Sequence, residues 1–329
     1  MIGVVMMKNR LFYKRESYIV ILTLVLWVVI SFINTNFALP SYILELIGFN
    51  NVFFICSMGI LPLMIKGDFD LSVGGIITTV SLMLTVIVAY IDLPIVVLLP
   101  LAGSIGALFG YLNGYIIGKL KVSSVIVTLA MMNIHYGLSK YVHRVFAIES
   151  LSSSSYDIEK YVVSGVPLEI ILIILVVLVT FYMIKFRSVG RSAMAFGGDR
   201  ALAIRKGLDE FRTTVNLHSY SGLMAGIAAG LYILTFNQPS IDVYSGIEFE
   251  LIIIVVIGGL NILGGYGSVH GTLAAAIFIV ILKSGMVFAR IPVFWHDMMI
   301  GMIIVLVISY DMAKHRDNLK RFKMRGGHR

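Results

Sequence analysis

The sequence predicts an all-α protein, a polytopic transmembrane helical bundle with about 10 spans and with its N- and C-termini in the cytoplasm. Three observations support this fold class. Of the 329 residues, 58% are hydrophobic and 13% are charged, whereas an ordinary soluble domain has roughly 25% charged residues. The apolar residues form separate blocks, several of them close to the ~20 residues that cross the hydrocarbon layer of a bilayer. Lys and Arg are concentrated in alternate connections between these blocks.

The apolar blocks define the predicted spans. They lie at 17–33, 50–65, 74–90, 94–117, 124–141, 168–185, 213–236, 248–263, 268–287 and 292–310. No cleavage pattern of the A-x-A type follows the first block, which we therefore interpret as a retained span and not a signal peptide. The predicted organisation is a cytoplasmic N-tail at 1–16, a transmembrane domain at 17–310 with a long cytoplasmic segment at 186–212, and a basic cytoplasmic C-tail at 311–329.

The basic residues set the orientation. Cytoplasmic loops of membrane proteins carry an excess of Lys and Arg. With the N-terminus inside, 21 of the 26 basic residues fall on the cytoplasmic side. The exceptions are Lys140, Arg144, Lys160, Lys283 and Arg290. The net charge of +8 is therefore assigned to the lipid bilayer and its anionic headgroups and not to nucleic acid, since no interleaving of aromatic and basic residues is found outside the spans.

Glycines recur at every fourth position in two predicted spans. Residues four apart share one helix face, and a missing side chain lets another backbone approach closely. The pattern predicts helix packing, either within the chain or at a dimer seam. The glycines are Gly106, Gly110, Gly114 and Gly118 in the fourth span and Gly222, Gly226 and Gly230 in the seventh.

Two polar or glycine-rich breaks interrupt the apolar pattern. The break at 66–75 contains Asp68 and Asp70, and the break at 258–271 has six glycines in 14 residues. Charged residues beside flexible backbone at membrane depth are typical of a translocation path, but a cytoplasmic turn with a helix N-cap explains 66–75 as well. The residues we assign to a translocation path are Asp70, Ser72, Asn113 and His218.

No motif in the sequence predicts catalysis. The segment 114–120, GYIIGKL, has three residues between its glycines and Leu after its Lys, whereas a phosphate-binding loop needs four residues and then Ser or Thr. The single cysteine excludes a disulfide-rich fold, and no His pair has zinc-binding spacing. We expect a transport subunit and not an enzyme, with no catalytic residue, metal or cofactor. A membrane enzyme that uses Asp68 and Asp70 is a third alternative.

The cytoplasmic segment 186–212 contains a short capped helix. Asp199 is a candidate N-cap, residues 200–206 form the body, and Gly207 is a candidate left-handed stop. About seven residues give only ~10 Å of helix, which is too short to persist alone in water. Such a helix is suited to docking on a partner protein, although it could also lie on lipid headgroups.

Four motifs carry a family resemblance. They lie at 67–74, 125–129, 197–207 and 257–272, and the segment 290–297 with the apolar span after it adds to them. Together they resemble the permease subunits of bacterial ABC importers for ribose, galactosides, other monosaccharides and autoinducer-type furanosyl sugars. This family often has Gly-Gly-Ile-Asp where the present chain has Lys66-Gly-Asp68-Phe-Asp70.

The resemblance implies an alternating-access permease in the bacterial inner membrane. It implies two ATP-binding ABC subunits, a second permease chain that is identical or related, and an extracytoplasmic sugar-binding protein, which the Ser-rich stretch 149–156 could contact. It also implies that the helix at 197–207 is a coupling helix that docks on the ATPase. Its coupling residues would be Gly197, Gly198, Asp199, Ala203, Arg205 and Gly207.

Other transporters share part of this pattern. A branched-chain amino-acid or nucleoside ABC permease has similar glycine motifs, and Trp295 with its surroundings favours a sugar. An ATP-independent secondary transporter or channel would need ion-coupling carboxylates within its spans, and the sequence has none outside the break at 66–75.

Overall fold

A computed structural model describes most of the chain. The described residues are 2–91, 93–146, 162–163, 165–236, 241, 244–262, 264–292, 294–296, 298–303, 305–306 and 309. Their side chains are described from residue 17 onward, except at Pro40 and Val163. The Ser-rich stretch 149–156, the C-tail 311–329 and part of the tenth predicted span lie outside the described residues.

The described part of the chain is helical almost throughout. Its first half contains α1 (Ile2–Ile33), a 3-10 helix (Thr35–Ala38), α2 (Pro40–Phe49), α3 (Asn51–Lys66), α4 (Val73–Tyr90), α5 (Ile95–Leu120) and α6 (Ser124–Phe146). Its second half contains α7 (Leu168–Phe186), α8 (Ser188–Gly198), α9 (Arg200–Arg205), α10 (Glu210–Phe236), α11 (Ile247–Ile257) and α12 (Val269–Phe288). A two-stranded antiparallel sheet, β1 (Val162–Val163) and β2 (Val166–Pro167), precedes α7.

Five of these helices are long and apolar enough to cross a membrane, namely α4, α5, α7, α10 and α12. A sixth membrane-capable element is formed if α2 and α3, which meet at a bend of 58°, count as one span. The apolar part of α1, Ser17–Ile33, is a shorter candidate. Among the described residues there are thus five or six membrane-capable elements, fewer than the ten predicted spans.

The helix boundaries differ from the predicted spans mainly at glycines. The eighth predicted span, 248–263, is too long, because α11 ends at Ile257. Gly258 follows it, and Gly259 has φ +101, a left-handed conformation that ends a helix and that glycine adopts without strain. After this break the chain forms a glycine-rich connection that leads into α12.

The interior of the bundle is built around α3 and α10. Every residue of α3 is buried, and α10 packs along α5 and also against α3 and α4. The backbones of α5 and α10 nearly touch. A Cβ added at Gly106 would lie 2.2 Å from the carbonyl oxygen of Gly222, and one added at Gly110 would lie 2.1 Å from that of His218.

The same contact continues along both glycine stripes. A Cβ added at Gly226 would lie 2.2 Å from the carbonyl oxygen of Ala102. Beyond these positions, Gly114 faces Val215, Gly118 faces Phe211, and Gly230 faces Leu99 and Ala102. The two stripes therefore face each other inside one chain, and this contact fixes the relative position of α5 and α10.

Candidate solute path and coupling junction

A buried carboxylate lies where the chain breaks between α3 and α4. Asp70 is 3% exposed. Its Oδ1 accepts hydrogen bonds from the backbone N–H of Ser72 at 3.0 Å and from the Ser72 hydroxyl at 2.6 Å, and its Oδ2 accepts one from Ser221 Oγ at 2.9 Å. Both carboxylate oxygens are thus satisfied, as a buried charged group requires. The break at 66–75 had two interpretations, a translocation path or a turn with a helix N-cap. The buried position of Asp70 agrees with a polar site inside the bundle and not with an exposed turn.

The polar network extends from the break to α5. Asn113 is fully buried, and its Nδ2 donates to Ser72 Oγ at 2.8 Å. We call Asp70, Ser72, Asn113 and Ser221 the polar cluster. The structure therefore brings together three of the four residues assigned to a path, and adds Ser221 from α10.

Two of the residues assigned to the path have a buried side-chain atom that lacks a protein partner among the described residues. These atoms are Asn113 Oδ1 and His218 Nε2. His218 lies one turn before Ser221 on α10, and its other ring nitrogen, Nδ1, lies 3.0 Å from the carbonyl oxygen of Thr214. An unpaired amide oxygen and an unpaired imidazole nitrogen inside a helical bundle can exchange hydrogen bonds with a neutral polar molecule.

The loop that carries Asp70 is fixed to the start of α6. The backbone N–H of Phe69 donates to Ser124 Oγ at 3.1 Å, and that of Leu71 donates to Thr128 Oγ1 at 3.1 Å. These bonds satisfy backbone groups that no helix can satisfy. The motifs at 67–74 and 125–129, which are distant in sequence, therefore meet at one place.

A second buried carboxylate, which the sequence analysis did not identify, lies at the start of α11. Glu248 is 4% exposed, and its Oε2 has no partner among the described residues. A Cβ added at Gly74, at the start of α4, would lie 2.5 Å from the carbonyl oxygen of Tyr244 and 3.0 Å from Glu248 Oε2. The first turns of α4 and α11 thus meet next to the polar cluster. This contact joins residues that are far apart in the sequence, so no local pattern indicates that Glu248 is buried. The one sign in the sequence is an acidic residue at the start of a predicted span.

A cavity of about 650 Å³ lies between the loop of Asp70 and the segment 186–212. We call it the inner cavity. The ion pair of Lys66 and Asp68 lines it, with side chains that are 6% and 16% exposed. The extra acid of this motif, Asp68, is therefore neutralised by the neighbouring Lys66. Arg200 and Glu210 also line this cavity and are joined by an Nε–Oε1 hydrogen bond of 2.7 Å, which raises the pKa of the Arg200 guanidinium.

The short helix α9 has the caps that the sequence predicts. Asp199 is its N-cap, and the carboxylate accepts from the backbone N–H of Leu202 at 2.9 Å. After the last residue of the helix, Gly207 adopts φ +78, and Leu208 N–H bonds the Ala203 carbonyl oxygen at 3.2 Å. Ala203 is buried on the inner face of α9, whereas Arg205 is exposed. A further helix that was not predicted, α8, precedes α9.

Close backbone contacts join the segment 186–212 to the bundle. A Cβ added at Gly197, near the end of α8, would lie 2.0 Å from the Ile65 carbonyl oxygen and 2.3 Å from the Gly265 nitrogen. Gly265 N–H also donates to the Ile65 carbonyl oxygen at 2.7 Å. Gly264 lies in the same contact, and we call Ile65, Gly197, Gly264 and Gly265 the coupling junction. The next residue, Gly198, would accommodate a Cβ with nothing within 4 Å.

The geometry connects the coupling junction to the polar cluster. Ile65 is the penultimate residue of α3, and Asp70 lies five residues later in the loop that follows this helix. A displacement of α8 would therefore act on the end of α3 and, through the loop, on Asp70. In the part of the chain that the structure describes, no group of three or more His, Cys, Asp or Glu residues could hold a metal ion.

The fold and these two sites define a multi-pass, all-helical membrane permease. Residues 42–308 match the family described as branched-chain amino acid transport system, permease component. The chain belongs to this family. No solved structure matches the chain.

Curated relatives are similar to the chain over nearly its whole length. The ribose import permease protein of Haemophilus influenzae is 28% identical over 320 residues, which cover 93% of this chain and 98% of the relative. The ribose import permease protein of Escherichia coli K12 is 24% identical over 306 residues, with 92% and 95% covered. The autoinducer 2 import system permease protein of Escherichia coli O157:H7 is 24% identical over 299 residues, with 91% and 87% covered.

Proposed function

We propose that this chain is the membrane subunit of an ATP-driven ABC importer for a monosaccharide or a related small sugar. The observation that carries the proposal is the physical connection from the capped cytoplasmic helix through the coupling junction to the buried polar cluster. A connection of this kind is what an importer needs if events at its cytoplasmic surface open and close a path inside the bundle. The solute class comes from the relatives, which are named as import permeases for ribose and for autoinducer 2.

The proposed topology has ten spans, with both termini in the cytoplasm of a bacterial inner membrane. It rests on the concentration of 21 of 26 basic residues in alternate connections. Besides the five long apolar helices, a ten-span chain needs five further membrane-embedded elements, namely the first apolar segment, the bent pair α2–α3, α6, the short helix α11 and the segment 292–310. Short helices that begin or end inside the bilayer are common where a solute path is built.

The proposed partners are two ATP-binding subunits, a second permease chain and an extracytoplasmic sugar-binding protein. Docking of α9 on an ATPase subunit would explain why a helix of 6 residues, too short to persist alone, is capped at both ends. Closure of the ATPases would draw α8 and α9 together with those of the second chain. The coupling junction would transmit this movement to α3.

The proposed solute path runs beside Asp70, Ser72, Asn113 and His218. Asn113 Oδ1 and His218 Nε2 are placed to exchange hydrogen bonds with sugar hydroxyl groups. A path with few polar contacts suits an importer in which the binding protein selects the sugar, because tight binding inside the membrane would slow release.

The test compares two neighbouring glycines at the coupling junction. In Gly197→Ala the new methyl group would overlap the backbone of Ile65 and Gly265, whereas Gly198→Ala has open space. The complex that co-purifies from the native membrane is reconstituted in liposomes, and ATP-dependent uptake of radiolabelled D-ribose and of a panel of monosaccharides is measured. We expect the Gly197→Ala complex to lose most of its uptake and the Gly198→Ala complex to retain it. Equal uptake by both variants would contradict the coupling role.

The family description favours a second candidate, a branched-chain amino-acid permease. The same liposomes distinguish the two, because ATP-dependent uptake of L-leucine without uptake of any monosaccharide would replace the sugar proposal. Sugar uptake that does not require ATP would instead indicate a secondary carrier or channel.

A further inference from the structure

A second cavity lies at the opposite end of the bundle from the inner cavity. Its volume is about 290 Å³. The first residues of α10 line the inner cavity, and Phe236, the last residue of α10, lines this one. Because the proposed topology places α9 in the cytoplasm, this second cavity faces the outside, and we call it the outer cavity.

We propose that the outer cavity is the subsite at which a monosaccharide first contacts the permease after leaving its binding protein. This inference rests on the proposed function and names a site for its solute. The volume is at the lower end of the ~300–1,000 Å³ typical of small-molecule sites. A cavity of this size accommodates a single sugar ring and excludes a larger oligosaccharide.

The walls of the outer cavity are rich in aromatic rings. Tyr232 is at the centre, with its ring centroid 5.0 Å from that of Phe236 and 5.3 Å from that of Tyr244. The Phe49 ring is tilted relative to the Phe236 ring, with the centroids 6.4 Å apart, and Phe53 also lines the cavity. The C–H faces of a sugar ring are apolar and pack against aromatic faces, which present a negative π surface. The rings already hold one another in place, so that a sugar would meet a preformed surface.

An ion pair supplies the polar side of the outer cavity. Lys283 Nζ donates to both carboxylate oxygens of Glu250, at 3.0 and 2.8 Å, and lies 4.9 Å from the Phe53 ring centroid. The side chains are 29% and 14% exposed. An ammonium group has three donors and a carboxylate has about four lone-pair sites, so both groups have hydrogen-bonding capacity beyond this ion pair. A hydroxyl group donates and accepts at once, so it can bond both members of this pair.

The outer cavity also adjoins the polar cluster. Tyr244 lines the cavity, and its carbonyl oxygen is the atom closest to a Cβ added at Gly74, at 2.5 Å. Gly74 follows Ser72 of the polar cluster by two residues. A sugar in the outer cavity would thus be separated from the polar cluster only by the contact between the first turns of α4 and α11, and opening of this contact would continue the path inward.

The test is protection of a cysteine from labelling. Ser245 is exposed and lines the outer cavity, and the chain's single cysteine, Cys56, is 1% exposed. The Ser245→Cys complex in liposomes is treated from outside with a membrane-impermeant maleimide. The ligand is the monosaccharide for which wild-type uptake has been measured. Bound sugar should slow labelling by the factor 1 + [L]/Kd, about tenfold at a sugar concentration of ~10 Kd.

A matched pair of phenylalanines provides the control. Phe49→Ala removes a wall of the outer cavity, whereas Phe32→Ala removes a ring that is 87% exposed at the end of α1. In the Ser245→Cys background, we expect Phe49→Ala to raise the sugar concentration for half-protection roughly three- to tenfold and Phe32→Ala to leave it unchanged.

Four other outcomes would each refute either the inference or the proposed function. Absence of protection in a complex that imports the same sugar refutes the outer subsite while the proposed function stands. Protection that Phe49→Ala leaves unchanged also refutes it. Failure of the external reagent to label Ser245→Cys refutes the placement of the cavity on the outside. Absence of uptake of every monosaccharide refutes the proposed function itself.

Discussion

Asp70 is a buried carboxylate that is held by hydroxyl and amide donors and not by a cation. Among the described residues, the ion pairs join Lys66 to Asp68, Arg200 to Glu210 and Lys283 to Glu250. Asp70 instead accepts three hydrogen bonds from Ser72 and Ser221. Hydrogen bonds to a charged group each contribute roughly 1.5–3 kcal/mol to stability. The polar cluster is therefore both a candidate contact for the solute and a connection between the loop, α5 and α10.

Replacing Asp70 tests the second of these roles, the contribution of the polar cluster to stability. Asp70→Ala removes the acceptor for the backbone N–H and hydroxyl of Ser72 and for the hydroxyl of Ser221, so we expect the free energy of unfolding in detergent to fall by about 2–4 kcal/mol. Asp70→Asn keeps an acceptor for Ser72 and can donate to Ser221, so its loss should be smaller. Ser221→Ala removes one hydrogen bond to Asp70 and should lower the free energy of unfolding by about 1–2 kcal/mol. Denaturant unfolding measures all three, and an Asp70→Ala protein as stable as the wild type would show that the network contributes nothing.

At the level of single residues, sequence patterns predicted part of the polar cluster. Asp70 and Ser72 stand out because they interrupt an apolar pattern, and Asn113 because it is polar within a span. Ser221 could not be predicted, since its partner Asp70 is 151 positions away and a serine in a helix normally bonds its own backbone. Glu248 was not predicted for a related reason. It lies against Gly74 of α4, which is distant in the sequence.

At the level of elements, the contact between α5 and α10 depends on glycine. We predict that Gly106→Ala destabilises the protein by about 1–3 kcal/mol, because the added Cβ would be 2.2 Å from the Gly222 carbonyl oxygen and the helices must move apart. Gly137→Ala in α6 is the control, since it has nothing within 4 Å. It should stabilise its helix by roughly 0.5–1 kcal/mol. Unfolding curves in the same detergent measure both, and equal stabilities would contradict the close packing.

Gly207, which follows the proposed coupling helix α9, allows a prediction about the stability of this helix. Gly207 has φ +78, a conformation that is unfavourable by roughly 1–2 kcal/mol for residues with a Cβ. Gly207→Ala should therefore weaken α9 and reduce the amount of ATPase that co-purifies. Gly207→Asn should reduce it less, because Asn adopts this conformation more readily. Quantitative mass spectrometry of the purified complex gives the ratio of subunits. The role of the cap would be refuted if Ala and Asn had the same effect.

Hydropathy predicted the long helices better than the short ones. The spans predicted at 74–90, 94–117 and 168–185 correspond to α4, α5 and α7, because continuous apolar sequence has one structural solution in a membrane. The helix α8 is less apolar, and it packs against α3 and α7, which no local pattern reveals. The eighth span was predicted too long because its apolar residues continue past Ile257, where Gly258 and Gly259 end the helix.

At the level of the whole molecule, the described sites form a series along the bundle. The coupling junction and the inner cavity lie at one end, the polar cluster follows at the loop between α3 and α4, and the outer cavity lies at the end of α10. The loop of Asp70 follows α3 and is bonded to α6 at Ser124 and Thr128 and to α10 at Ser221. Movement of that loop relative to α10 is therefore the simplest rearrangement that could open the path toward one side and close it toward the other.

The direction of this series in the membrane follows from the proposed topology, which fusion proteins can test. Alkaline phosphatase is active only when it is exported, so truncated chains fused after Tyr90 or Phe236 should give high activity in cells. Fusions after Lys121, Gly207 or Arg329 should give low activity, because the positive-inside rule places these positions in the cytoplasm. A fluorescent protein that matures only in the cytoplasm should give the reverse pattern at the same five positions. High phosphatase activity after Arg329 would mean an odd number of spans, whereas high activity after Gly207 would place α9 outside and remove it from any cytoplasmic ATPase.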